Sequence, residues 1–430
     1  MKKLSEILAF LTAAFVPFPT LGYPVAADLT ISPALVCGSL FLLVNIPRVF
    51  ARRDYLVAAI AMAACFIVSN IGRNPVDSYL LSLVALFAVI APLMLGNIER
   101  SVSRAMIRGF LVGLVVTLAI SFVELVSALL NIDDILILLD TIFPDGRRGN
   151  PAPYLRPKAG FFEPSHLAVY LAFAFVIVDI AFQKSKISNV FKALIGVSIL
   201  YVGSLSGFLI ITFYIAAQWS TVIFKKKRNA FISFMTLILA FVVVLIYWDD
   251  IVSSTYFERI GIVSEAFSRG DLVGSEGSRI NAFRPVFDYW SENGWIDFFL
   301  GTGYGNYSDW LIYRYGGLGV FSSAGRGDID NIFAAVMLST GVLGIISYLT
   351  FLFVRFYSIS KGRLIAIGLF VVAVHFSYGH MISYLVWYLF LVLVNALSLR
   401  RSAELLAGND GLATSPAAEP RRHASAGAGR

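Results

Sequence analysis

One stretch of this 430-residue chain concentrates side chains able to do chemistry where an apolar run begins: Arg156-Pro157-Lys158-Ala159-Gly160-Phe161-Phe162-Glu163-Pro164-Ser165-His166. Pro164 suits the first position of a helix, where its missing amide hydrogen leaves nothing unpaired. Glu163 and His166 then lie three residues apart on one face, which Tyr170 continues. The free amides and positive dipole end of such a helix attract anions, and Arg156 and Lys158 stand directly before it. The spacing therefore supports an anion site at a helix mouth. The plainer reading is a proline-started membrane helix with a few interfacial polar residues.

The elements that must position these residues follow from composition. The chain is 58% hydrophobic and only 14% charged, with a mean hydropathy of +0.78. So much apolar surface exceeds what one soluble core can bury, and the fold class is all-α, a polytopic integral membrane protein. Cys37 and Cys65 both fall in apolar runs, so neither a disulfide framework nor a thiolate zinc site is available. No metal site and no cofactor are expected. The net charge of +7 is scattered through short loops, a pattern that orients membrane helices and does not suit nucleic acid.

About twelve spans are expected over residues 1–402. The first, at about 7–23, is interrupted by Pro17 and Pro19; a cleaved signal peptide is its rival, with Val25-Ala26-Ala27 at the cleavage spacing. Others follow at about 31–47, 55–71, 79–96 and 109–130, and a further one begins at Pro164. Basic loops at Arg48, Arg52 and Arg53 and at Arg100, Arg104 and Arg108 face the cytoplasm by the positive-inside rule. Lys184 and Lys186 precede the apolar stretch of about 191–224, and Lys225 to Arg228 follow it, so that stretch is a hairpin of two spans turning near Ser204-Leu205-Ser206-Gly207. Spans at about 230–248, 331–355, 363–378 and 381–398 complete the set. Residues 403–430, rich in Ala, Gly, Ser, Pro and Arg, form a disordered cytoplasmic tail.

Two long loops then lie on the outer side, at about 131–162 and 249–330. The first carries Arg147, Arg148, Arg156 and Lys158 on the side that basic residues avoid, which points to an anionic ligand, although long loops also cross regardless of charge. In the second, Ile280, Phe283, Phe287 and Trp290 recur at helical spacing among Arg279, Arg284 and Asp288, as in an amphipathic helix on a membrane surface. Gly301-Thr302-Gly303-Tyr304-Gly305 is a tight turn, since no strand or lysine signature supports a phosphate loop. Trp290, Trp295, Tyr304, Tyr307, Trp310, Tyr313 and Tyr315 can stack on sugars, or simply mark the interface.

The stretch Gly160-Phe161-Phe162-Glu163-Pro164-Ser165-His166-Leu167-Ala168 resembles the motif of the O-antigen polymerase and O-antigen ligase superfamily, the Wzy and WaaL families. The small-residue turn at Ser204 to Gly207 resembles theirs, as does the later order of Arg279, the Gly301 to Gly305 turn, Asp330-Asn331-Ile332-Phe333 and Ser339-Thr340-Gly341-Val342-Leu343-Gly344. The likeness spans about 150–360. It implies a metal-independent, inverting glycosyltransferase of GT-C-like character in the bacterial inner membrane, acting at the periplasmic face on glycans linked to undecaprenyl pyrophosphate. Membrane lipids, a flippase and a chain-length regulator are the implied partners. Arg156, Lys158, Arg279 and Arg284 would hold the diphosphate, with Arg147, Arg148, Tyr304 and His380 also touching substrate; Arg284 can instead pair with a nearby carboxylate. Asp330, Asp328, Glu163 and His166 are candidate bases. His375 and His380 can also serve, although His375 better suits a membrane-facing packing role. Ligases of the superfamily place His before the asparagine where this chain has Asp330, which favours a polymerase; Asp330 can equally be a helix cap. A ligase acting on lipid A core and a transporter of lipid-linked sugars remain the alternatives.

Overall fold

Pro17 and Pro19 stop the first helix early. In the computed structural model, α1 (Lys2–Phe15) ends before them, and an antiparallel hairpin of β1 (Tyr23–Ala26) and β2 (Leu29–Ile31) follows the expected first span. The structure describes residues 2–26, 29–49, 53–71, 91–95, 98–143, 157–161, 163–183, 185–223, 282–303, 307–315, 329, 331–360, 363–378 and 384–413. Apart from that hairpin, the regular elements among them are helices.

α2 (Pro33–Val44) starts where the Ser32 hydroxyl accepts from the Leu35 amide, the usual serine cap. α3 (Ile46–Val49), α4 (Arg53–Asn70) and α5 (Arg100–Leu129) follow. Asn131 ends α5 with φ 54°: its amide bonds the Ala128 carbonyl and the Ile132 amide bonds that of Ser127, a Schellman pairing that asparagine tolerates. The chain thereby turns into α6 (Asp133–Ile142), a helix within the first long loop that was not expected from the sequence.

α7 (Pro164–Ala181), α8 (Lys186–Val202) and α9 (Leu205–Ile223) come next. The expected hairpin is two helices meeting at Gly203 and Ser204. α10 (Arg284–Glu292), α11 (Trp295–Leu300) and α12 (Tyr307–Tyr315) lie within the second long loop. α10 turns Val286 and Tyr289 toward the protein and leaves Phe287, of the stripe expected to face the membrane surface, 58% exposed. α13 (Ile332–Ile359), α14 (Leu364–Ser377) and α15 (Tyr384–Ala413) close the chain. α15 runs past residue 403, where order was expected to end; Ala403-Glu404-Leu405-Leu406-Ala407 are strong helix formers.

Among the described residues, four helical segments are long and apolar enough to cross a bilayer: α5, α7, α13 and Leu385–Ala403 of α15. Pro33–Val44, Tyr55–Asn70, Ser206–Trp219 and Leu364–Ser377 are shorter apolar helices. The expected span at 230–248 and most of that at 79–96 lie outside the described residues. Large apolar side chains stand on outward faces, among them Val57, Phe122, Ile187 and Phe353, which suits lipid and not water. This is an all-α protein of membrane type.

α7 is the central helix, with Leu167 to Ala174 buried on every face. The stripe that α5 buries contains Gly109, Gly113, Thr117, Ser121 and Glu124. A Cβ at Gly109 would lie 2.1 Å from the Phe10 carbonyl oxygen, and one at Gly113 2.6 Å from that of Ala14. Glycines four apart thus let α1 meet α5 backbone to backbone, as close helix pairs in membranes do.

Polar groups gather at the two ends of the bundle. At one, Glu99 accepts from Lys2 at 3.1 Å and from Arg48 at 2.6 Å. Those two donors, Lys2 foremost, hold its carboxyl below the usual carboxylate range. The tie is thus present above about pH 4.3 and is lost as pH falls through the depressed folded value. At the same end Asp179 of α7 accepts from Arg363 at 2.8 Å, Tyr214 of α9 at 2.9 Å and Lys192 of α8 at 3.2 Å.

α13 breaks at Gly341, where φ is 62° and ψ −162°. The freed carbonyls of Leu338 and Ser339 accept from the amides of Thr302 at 2.8 Å and Gly303 at 2.9 Å. The Gly301 to Gly303 turn is therefore a strap across the opened helix. Gly301 also has positive φ, and a Cβ there would lie 2.5 Å from the Leu338 carbonyl oxygen.

Replacing either close-contact glycine tests the α1–α5 packing. Gly109→Leu and Gly113→Leu should each lower the melting temperature in detergent, an overpacking cost of about 1–3 kcal/mol. Gly196→Leu on α8, where a Cβ meets nothing within 4 Å, should leave it unchanged.

Candidate functional site

Tyr378, just past α14, joins the starts of two other helices. Its carbonyl accepts the Ile332 amide of α13 at 3.2 Å. Its ring lies 5.0 Å from that of His166 in the first turn of α7. Two helix N-termini, each carrying partial positive charge, therefore meet at the end of a third helix that presents partial negative charge. The break at Gly341 makes this possible: Phe333 and Tyr348 of α13 both reach His375, although fifteen residues of straight helix would span about 22 Å.

At the α13 start, Asn331 is the cap, its Oδ1 accepting from the Ala334 amide at 3.1 Å. Asn331 is fully buried, and its Nδ2 has no hydrogen-bond partner among the described residues. Asp330 itself lies outside the described residues, between the buried Ile329 and Asn331. The cap is thus Asn331, and not Asp330, for which capping was the alternative to a proton-accepting role.

At the α7 start, Glu163 precedes the helix in extended conformation, and its Oε2 accepts from the Ser165 hydroxyl at 3.1 Å. Glu163 makes no side-chain cap to α7. The preceding loop is pinned from two sides. Oε2 of Glu124 accepts the amides of Lys158 at 3.0 Å and Ala159 at 2.8 Å, and the Thr20 hydroxyl donates to the Gly160 carbonyl at 2.8 Å. Lys158 is only 9% exposed.

His375 packs inside the bundle, fully buried, and not toward the membrane as expected. Nδ1 faces the Val371 carbonyl at 2.7 Å and must carry the proton, which leaves Nε2 to accept from the Tyr348 hydroxyl at 2.6 Å. Its ring stacks on Phe333 at 4.9 Å.

The second loop touches the same region through Phe283, which packs on Phe376 at 5.7 Å; Phe376 in turn meets Phe333 at 5.4 Å. Arg284 is one residue further on, exposed, with its guanidinium 3.7 Å from Asp288. Asp288 also accepts the Tyr315 hydroxyl at 2.5 Å. Burial, and then that acceptor, push the Tyr315 phenol up, which keeps it a donor. Trp290 and Trp310 pack within the loop, on Phe298 and Tyr289, while Trp295 and Tyr313 project outward.

The structure thus brings His166 and the residue after Asn331 to Tyr378, with Glu163 at the α7 N-cap and Lys158 in the loop leading to it. Arg147, Arg148, Arg156, Arg279, Tyr304, Asp328 and His380 lie outside the described residues. Glu124 and Tyr378 were not among the residues expected at the site, and Asn331 was expected only as part of the Asp330-Asn331-Ile332-Phe333 motif. A lone carboxylate within the apolar 109–130 run was the available signal for Glu124; nothing local marks Tyr378. No family model matches this chain, and no curated protein matches it.

Cap replacement tests the α13 start. Asn331→Ala should destabilise the protein by about 1 kcal/mol, while Asn331→Ser, which keeps an acceptor, should stay close to the parent in thermal unfolding.

Proposed function

We propose that the chain polymerises undecaprenyl-pyrophosphate-linked oligosaccharide repeat units into O-antigen, capsule or exopolysaccharide. In this reading about twelve helices cross the bacterial inner membrane, the architecture is GT-C-like, and the Tyr378 end faces the periplasm. The observation that supports it is the meeting of the α7 and α13 N-termini at Tyr378, with the buried Lys158 in the loop before α7. Helix N-termini and cations on one side of an apolar bundle suit a diphosphate whose lipid tail approaches through the bilayer.

The transfer is an inverting single displacement that needs no metal ion. The acceptor oxygen bonds to the anomeric carbon, the bond from that carbon to the diphosphate oxygen breaks with its electron pair, and the hydroxyl proton passes to a base. Charge grows on the departing diphosphate, so fixed donors aimed there lower the barrier. Arg156, Lys158, Arg279 and Arg284 are those donors in this reading, with Arg147, Arg148, Tyr304 and His380 in contact with substrate. Asp330 takes the proton, and Glu163 and His166 are its alternates. A flippase supplies donor, and a chain-length regulator limits product.

A ligase would transfer finished glycan to lipid A core, and its histidine is replaced here by Asp330. A broken helix such as α13 also favours transport, since transporters use such breaks to expose backbone groups to substrate. Here, however, Leu338 and Ser339 offer their carbonyls to Thr302 and Gly303.

The test is incubation of purified protein with undecaprenyl-pyrophosphate-linked repeat units. Chain extension without lipid A core is expected; transfer only when core is added identifies a ligase, and neither product removes the enzyme reading. Because Asn331 supplies the cap, Asp330→Asn isolates the proton-accepting role. Turnover should fall by about a hundredfold with donor binding kept, and full activity would move the base to Glu163 or His166.

A further inference from the structure

Glu124 is 2% exposed in a helix long and apolar enough to cross a bilayer. A carboxylate in such a place carries a large desolvation cost and is retained where it has a specific task. Its Oε2 meets two consecutive amides, those of Lys158 and Ala159. Ala159 has φ 48°, so successive N–H groups point to one side, the arrangement with which backbone cradles an anion. The Phe161 amide closes the turn on the Lys158 carbonyl at 2.9 Å. Gly160 presses against Pro17 and Phe18, where a Cβ would lie 2.6 Å from the Phe18 ring. Tyr201 of α8 is within electrostatic reach of Glu124. The loop is thus drawn into the bundle by a side chain from α5 and held against the turn after α1, directly before the α7 mouth.

We propose that Glu124 is a positioning residue: by binding the Lys158 and Ala159 amides it fixes the basic loop and the α7 N-terminus so that they receive the donor's diphosphate. This inference rests on the reading of the chain as a lipid-pyrophosphate glycosyltransferase. A neutral amide oxygen can accept the same two N–H groups, whereas a methyl group cannot. Glutamine therefore preserves the position, and alanine releases it.

Two readouts separate the positioning from the ligand. In a Cys37→Ser, Cys65→Ser background, Ala159→Cys should react slowly with a polar maleimide in micelles. Adding Glu124→Ala should speed labelling by about tenfold or more, and Glu124→Gln should restore the slow rate. Binding of undecaprenyl pyrophosphate in the same micelles should weaken by about tenfold to a hundredfold in Glu124→Ala and recover in Glu124→Gln. If Glu124→Ala does not accumulate, Glu124→Asp, one methylene shorter, replaces it in both assays. Labelling that Glu124 substitutions leave unchanged overturns the positioning role. Faster labelling with unchanged binding overturns the placement of the diphosphate at this loop.

Discussion

Inside a bilayer every backbone amide and carbonyl must find its partner within the protein, and this chain is arranged around the places where that demand is hardest to meet. α13 is opened at Gly341, and the second long loop returns Thr302 and Gly303 to occupy the carbonyls of Leu338 and Ser339. At the far end of the folded-back segment, the Ile332 amide finds the Tyr378 carbonyl, and Asn331 supplies the cap. The loop before α7 is buried in the same manner, with Glu124 and Thr20 as its partners. The last two bring the starts of α13 and α7 to one side of the bundle.

The two ends of the bundle differ in kind. At the Asp179 end, Lys192, Tyr214 and Arg363 close on a single carboxylate and tie α7, α8 and α9 to the start of α14. Such a satisfied network holds helices together and offers little to a ligand. At the Tyr378 end, the α7 mouth carries Glu163 and His166, and the buried Nδ2 of Asn331 has no partner among the described residues. The chemistry proposed for this protein belongs to the second kind of environment.

Much of this was legible in the sequence. Pro164 and the apolar run behind it marked the central helix, and the lysines flanking 191–224 marked its two-helix hairpin, because proline placement and loop charge are local signals. The first span was overestimated because Pro17 and Pro19 outweigh hydropathy in ending α1. The protein-facing side of α10, Val286 and Tyr289, was not marked in the sequence, because only packing selects it. The last helix continues to Ala413, past the residue where order was expected to end, and Ala403 to Ala407 are good helix formers. Tyr378 could not be read at all: its role comes from a backbone carbonyl that meets a helix 46 residues earlier in the chain.

A photoreactive analogue of undecaprenyl pyrophosphate, crosslinked to the purified protein and mapped by peptide mass spectrometry, tests the central claim most directly. The site proposed at the meeting of α7 and α13 predicts crosslinks within residues 157–166, 329–333 and 378. Crosslinks confined to the surroundings of Asp179, Lys192 and Arg363 would contradict it.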